Sequence, residues 1–153
     1  MEPFVRGFIR ASLIWLAVGV TIGVSMAFWP QGALVYRTAH IHANLLGFVS
    51  MMIFGVAYHV MPRFTGNPLH SRREAAVHLW LANLGLVLLV GGWITRVWTW
   101  PAGDVALRAG AAVSALGILL FIHNLWRTLG PSVAGTGRRA PVPAVAQPPA
   151  VHS

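Results

Sequence analysis

Four apolar runs decide what this chain can fold into. They cover roughly residues 8–29, 39–61, 77–95 and 105–126. Each reaches the length of about 20 residues that an α-helix needs to cross a hydrocarbon core about 30 Å thick. Backbone N–H and C=O groups cannot stay unpaired in lipid, so a spanning segment is a helix or part of a closed barrel, and the sequence has none of the alternating ten-residue strands of a barrel. The expected fold class is therefore all-α, a four-transmembrane-helix bundle in a lipid bilayer. Composition agrees, with 56% hydrophobic residues, 9% charged residues and no cysteine.

The breakers divide the chain at the same places. Trp29-Pro30-Gln31-Gly32 closes the first helix, Pro62 closes the second, and Trp100-Pro101-Ala102-Gly103 parts the third from the fourth. Arg63 to Ala76 reads as a polar loop. Residues 1–128 form the membrane domain, and the Pro/Ala/Gly-rich residues 129–153 read as a disordered cytoplasmic tail. A cleaved signal peptide would explain the small residues at Ser25 to Ala27. The preceding apolar stretch, however, outruns a usual h-region and holds a Gly19-x-x-x-Gly23 spacing suited to close helix packing, so it is read as a true span.

All basic side chains are arginine, and they are unevenly placed. Arg6, Arg10, Arg63, Arg72, Arg73, Arg127, Arg138 and Arg139 fall on one side of the expected bundle, and Arg37, Arg96 and Arg108 on the other. The positive-inside rule then puts both termini in the cytoplasm of a multi-pass protein of the inner (cytoplasmic) membrane. The net charge of +8 reflects this topology, since a nucleic-acid partner would need a soluble basic face. Trp29, Tyr36, Trp93, Trp98 and Trp100 form an aromatic belt on the opposite side.

The second run opens with Thr38-Ala-His40-Ile-His42. Residues two apart on an α-helix point about 200° apart around its axis, so His40 and His42 cannot chelate one ion and must address two different neighbours. Below His40 runs a stripe of Asn44, Gly47, Met51 and Gly55, small enough in places for a flat macrocycle to lie against the backbone. Below His42 the stripe is Leu46, Val49 and Ile53. Interfacial histidines bonded to water or to loop carbonyls are the plain alternative, but an ionisable group inside a membrane is a functional candidate by default. At the other end His59, His78 and His123 reach similar depth, with His70 in the adjoining loop. They suit either a copper or zinc site or helix caps bonded to Asn124 and loop carbonyls.

"HIHANLLGFVSMMIFGVAYHVMPRF" followed by "HLWLANLGLVLLVGGW" resembles two consecutive helices of the catalytic subunit (subunit I) of heme-copper oxidases, closest to the C-family cytochrome c oxidases and nitric oxide reductases. The likeness runs over about residues 38–98. In that family one histidine of the His-x-His ligates a high-spin heme and the other a low-spin heme on the opposite face. The resemblance thus implies heme b, with His40 and His42 as iron ligands, Asn44 and Gly47 beside the ring, and Arg37, Arg96 or Arg108 on its carboxylates, where a planar guanidinium fits well. Trp93 and Trp98 would pack at the ring edge. The family's twelve helices form three arcs of four around a pseudo-threefold axis, which implies that this four-helix chain is a homotrimer, with His42 of one copy and His40 of the next flanking one heme. His78 matches a family histidine, which sustains the inner metal site.

The departures bear on activity. A family catalytic subunit is about three times this length and carries three further copper-binding histidines and a redox-active tyrosine, whereas Tyr36 and Tyr58 lie at an outer loop and at the cytoplasmic end. A complete oxidase is not expected. The expected function is electron transfer, or binding of nitric oxide or oxygen, by a heme protein with a redox partner. A copper- or zinc-handling membrane protein and an assembly partner of a respiratory complex are the competing readings. No phosphate loop, cysteine nucleophile or paired carboxylates occur, so acid–base and nucleophilic enzyme classes are excluded.

Overall fold

The computed structural model describes residues 1–130, apart from the side chain of residue 100. Apart from Leu129 and Gly130, the expected tail lies outside the described residues. Four helices account for the fold: α1 (Pro3–Phe28), α2 (Pro30–Thr65), α3 (Arg72–Thr95) and α4 (Trp100–Thr128). All four are long and apolar enough to cross a membrane. The chain is a four-helix membrane bundle.

The helices overrun the apolar stretches because their first turns use residues that read as breakers. Pro30 opens α2 immediately after the linking Trp29. A proline at the first helical position loses no hydrogen bond, since that N–H has no intrahelical partner. Tyr36 and Arg37 consequently stand on α2 and not in a loop. Pro62 lies inside the last turns of α2, which stops at Gly66, a left-handed residue with φ 69°. At about 1.5 Å per residue the 36-residue α2 is about 54 Å long, so its ends project beyond the hydrocarbon. Ser71 starts α3 by accepting a 3.1 Å hydrogen bond from the Glu74 N–H, the spacing of a capping box.

The middle of α2, Ala43–Ser50, is a π-helix. Its onset has a local cause. The Asn44 side-chain amide donates to the His40 carbonyl at 2.9 Å, taking the oxygen that an α-helical ladder would offer to the Asn44 N–H. Ser50 Oγ donates to Leu45 O, five residues back, at 2.9 Å. Such wide turns concentrate at functional sites.

α1 lies along the full length of α2, α3 packs on α2 and more extensively on α4, and no substantial packing joins α1 to α4. The bundle is an open arc in chain order. Glycines set the close approaches. A Cβ on Gly19 would stand 2.6 Å from Asn44 Oδ1, and one on Gly85 of α3 would stand 2.8 Å from the Ser114 N of α4. Gly19/Gly23 and Gly110/Ser114 thus serve packing within the chain, whereas Ala111 and Ala115 are exposed on the outer side of α4. The loop before α3 is tied to the end of α4: Asn124 Nδ2 donates to Ser71 O at 2.8 Å and Asn124 Oδ1 accepts from Ser71 N at 3.0 Å.

Candidate functional site

His40 and His42 sit on the last turn of the α-helical part of α2, immediately before the π segment. His40 turns toward α1. Its Nδ1 lies 2.8 Å from Gly19 O, and its ring lies over Gly23, where a Cβ would be 2.8 Å from Cε1. His42 turns to the other flank, beside exposed Ile41 and Leu45, and its Nδ1 lies 2.8 Å from Thr38 O one turn back. A carbonyl oxygen only accepts, so bonds to Gly19 O and Thr38 O put the proton on Nδ1 and leave the Nε2 lone pair free; the Asn44 amide, 3.3 Å from His40 Nδ1, then directs its hydrogen to the nearer His40 O at 2.9 Å. Neither Nε2 makes a hydrogen bond among the described residues, and neither is sealed in the interior. An imidazole anchored through Nδ1–H to a carbonyl with Nε2 open is the usual posture of a metal ligand. From Phe28 at the helix end to Gly19 is about 14 Å at 1.5 Å per residue, which sets His40 well below the Trp29 turn.

The stripe below His40 does not offer a bed for a macrocycle. Asn44 fills the space over Gly19, Gly47 is buried with Trp15 Cγ 2.7 Å and Leu86 Cδ2 2.9 Å from where its Cβ would be, and Gly55 receives Phe8. α1 covers this flank because its own glycines let it approach. A flat ligand on these histidines therefore has to lie along the open edges of α2, against groups from outside this arc.

Of the cations expected at the rim, Arg37 is exposed on α2 one turn above Ile41. The Arg96 guanidinium lies 5.4 Å from the centre of the Trp93 ring, and Arg108 pairs with Asp104 at 2.6 Å. Trp98 is exposed.

The inner histidines are not brought together. His59 Nδ1 lies 3.1 Å from Arg63 Nη1 on the same helix, while that guanidinium also donates to His59 O. His123 Nδ1 pairs with Glu74 Oε2 at 3.1 Å, with the His70 ring 5.7 Å away. His78 is fully buried, its Nδ1 3.1 Å from the Tyr58 hydroxyl and its ring packed on Phe54 and Phe8 at 4.7 and 4.8 Å. Among the described residues no group of three or more His, Cys, Asp or Glu is placed to hold a metal ion. Equal depth in the membrane put these side chains in one layer, but helix rotation pointed them apart. Tyr58 as the partner of His78 was not legible, because nothing in a span of 20 residues ties the two together locally.

Comparison with known proteins adds a second line. Residues 4–151 match the family described as cytochrome c and quinol oxidase polypeptide I. The Cbb3-type cytochrome c oxidase subunit CcoN1 of Stutzerimonas stutzeri is 29% identical over 157 residues, an alignment covering 84% of this chain and 33% of that protein. Cytochrome c oxidase subunit 1 of Rhodobacter capsulatus is 28% identical over 172 residues, covering 94% of this chain and 32% of that one. The chain therefore spans about a third of the length of these relatives. With its four spanning helices and a match along nearly its whole length, the chain belongs to the cytochrome c and quinol oxidase polypeptide I family, as a short relative of heme-copper oxidase subunit I.

Proposed function

We propose that the protein is a heme b-binding membrane protein that works in electron transfer or in binding nitric oxide or oxygen, with His40 and His42 as the iron ligands. One observation carries the reading: each imidazole is held through Nδ1 by a main-chain carbonyl with Nε2 unbonded, and the two leave opposite flanks of one helix. Heme b held by His40 and His42 would supply one-electron redox chemistry or a place for a diatomic ligand. The chain's part is to fix ring orientation and tautomer through Gly19 O and Thr38 O, and to offer the exposed Arg37 to a carboxylate.

The site is completed by a second copy. α1 fills the flank of α2 below His40, the bundle is an arc, and the small Ala111 and Ala115 face outward on α4, all of which favour association of arcs. The proposed assembly is a homotrimer in which His42 of one copy and His40 of the next address one heme. The excess of arginine at the ends bearing Arg6, Arg10, Arg63, Arg72, Arg73 and Arg127 favours cytoplasmic termini in the inner membrane. Among the described residues His59, His78 and His123 turn to different partners, which favours the heme reading over copper or zinc.

The test is an absorption spectrum of the detergent-purified chain, oxidised and dithionite-reduced, with extraction of the pigment. A Soret band and a b-type extract are expected, reduced at least tenfold in both His40→Ala and His42→Ala. A folded but colourless protein, after growth with the heme precursor supplied, would overturn the reading in favour of an assembly partner.

A further inference from the structure

His78 presents a second, unassigned polar site in the middle of the bundle. The residue is fully buried, and its Nε2 has no hydrogen-bond partner within the described residues. Leaving such a nitrogen dry costs about 1–3 kcal/mol, and buried polar atoms are as a rule satisfied by protein or by ordered water. The Nε2 side of the ring faces α4, where a Cβ on Gly117 would be 3.3 Å from His78 Cδ2. On this side lies a cavity of about 20 Å³ lined by Ser50, His78, Ser114 and the apolar Leu46, Phe54 and Ile118.

Size and chemistry restrict the occupant. A cavity needs roughly 10–15 Å³ to hold one water molecule, and the water needs two to four polar partners. Here Nε2 is one. Ser50 Oγ spends its proton on Leu45 O and keeps its lone pairs, and Ser114 Oγ makes no hydrogen bond to the described residues. Only one ring nitrogen and no carboxylate line the space, so a metal ion finds no ligand set there.

We propose that this cavity is a binding site for a single water molecule, held by His78 Nε2 with Ser50 and Ser114. The water extends a hydrogen-bonded string. Tyr58 lines a cleft of about 540 Å³ that opens at the N-terminal end of the bundle beside Glu2, Arg63 and Arg72. The string runs from the buried Tyr58 hydroxyl through the His78 ring to the bound water. The Tyr58 O–H donates to Nδ1, Nε2–H donates to the water, and the water donates to Ser50 Oγ. His78 is thereby the polar link between Tyr58 and the bound water, separate from the His40/His42 pair and independent of heme.

The experiment is nitrogen-15 and proton NMR of the full chain labelled at histidine, in detergent, without added ligand. The expected result is a His78 ring protonated at Nε2, an Hε2 resonance with a cross-relaxation peak to water, and loss of that peak in Ser114→Val, which fills the cavity. Ser50→Ala serves as the second variant should Ser114→Val not fold, and is expected to weaken the same peak at least twofold. An Nε2 without a proton, an Hε2 with no water contact, or a water peak unchanged in the serine variants would overturn the proposal.

Discussion

Gly23 of α1 and His40 of α2 stand ring edge to backbone. A Cβ on Gly23 would lie 2.8 Å from His40 Cε1, while His40 Nδ1 donates to Gly19 O one turn earlier on the same helix. The posture of the imidazole is therefore set by a glycine pair on the neighbouring helix as well as by its own backbone.

Gly23→Ala is expected to push the ring off its carbonyl anchor and to weaken heme retention about tenfold, the effect typical of losing a ligand's supporting contact. Gly23→Val should weaken it further. Gly91→Ala is the control, because nothing lies within 4 Å of a Cβ there. Soret absorbance followed during transfer of heme to excess apomyoglobin measures all three.

If the site is shared between copies, His40→Ala and His42→Ala chains should complement each other. Each contact is directional, with His42 from one copy and His40 from the next, so random mixing of equal amounts leaves about a quarter of the contacts with both ligands. Co-expressed and co-purified chains should regain that fraction of the wild-type Soret band. Recovery no greater than the mean of the single variants would rule out a heme shared by His42 of one copy and His40 of the next.

Asn124 joins the end of α4 to the start of α3 with two partly buried hydrogen bonds, to Ser71 N and Ser71 O. Asn124→Ala leaves the Ser71 N–H without its partner and removes one of the two bonds to Ser71 O, which also accepts from Ala75 N at 3.3 Å, and is expected to destabilise the bundle by about 2 kcal/mol. A denaturation midpoint in mixed detergent micelles measures this. The heme spectrum should not change, since Asn124 lies at the opposite end from His40.

Ser71 also caps α3 through its hydroxyl, which accepts from Glu74 N at 3.1 Å. Ser71→Ala is expected to cost about 1 kcal/mol, and Ser71→Asp to retain most of the stability, because either side chain with an oxygen at that position satisfies the helix N-terminus. The main-chain bonds to Asn124 persist in both variants, so the same denaturation assay isolates the cap.

Legibility followed the range of the interaction responsible. The four spans were readable because length and hydropathy are properties of contiguous residues, and the divergence of His40 and His42 was readable because about 100° of rotation per residue is a property of one helix. The starts of α2 and α3 were less so: Pro30 read as a breaker and Ser71 fell within the expected loop, yet each supplies what a first helical turn requires. The π segment was not expected, since it depends on the Asn44 side chain capturing one particular carbonyl.

By itself the sequence determined that this is a four-helix membrane protein with two histidines on opposed flanks of its second helix. Hydrocarbon leaves the backbone no other way to bond, and helical rotation leaves the histidines no way to converge. Only the tertiary structure decided that Gly19, 21 residues away, anchors His40, that α1 and not a ligand covers the Gly47 and Gly55 stripe, and that His59, His78 and His123 go to three different surroundings. Those outcomes depend on how far each helix turns about its axis as it packs. That rotation is set by glycine notches and side-chain volumes on neighbouring helices, which no single segment contains.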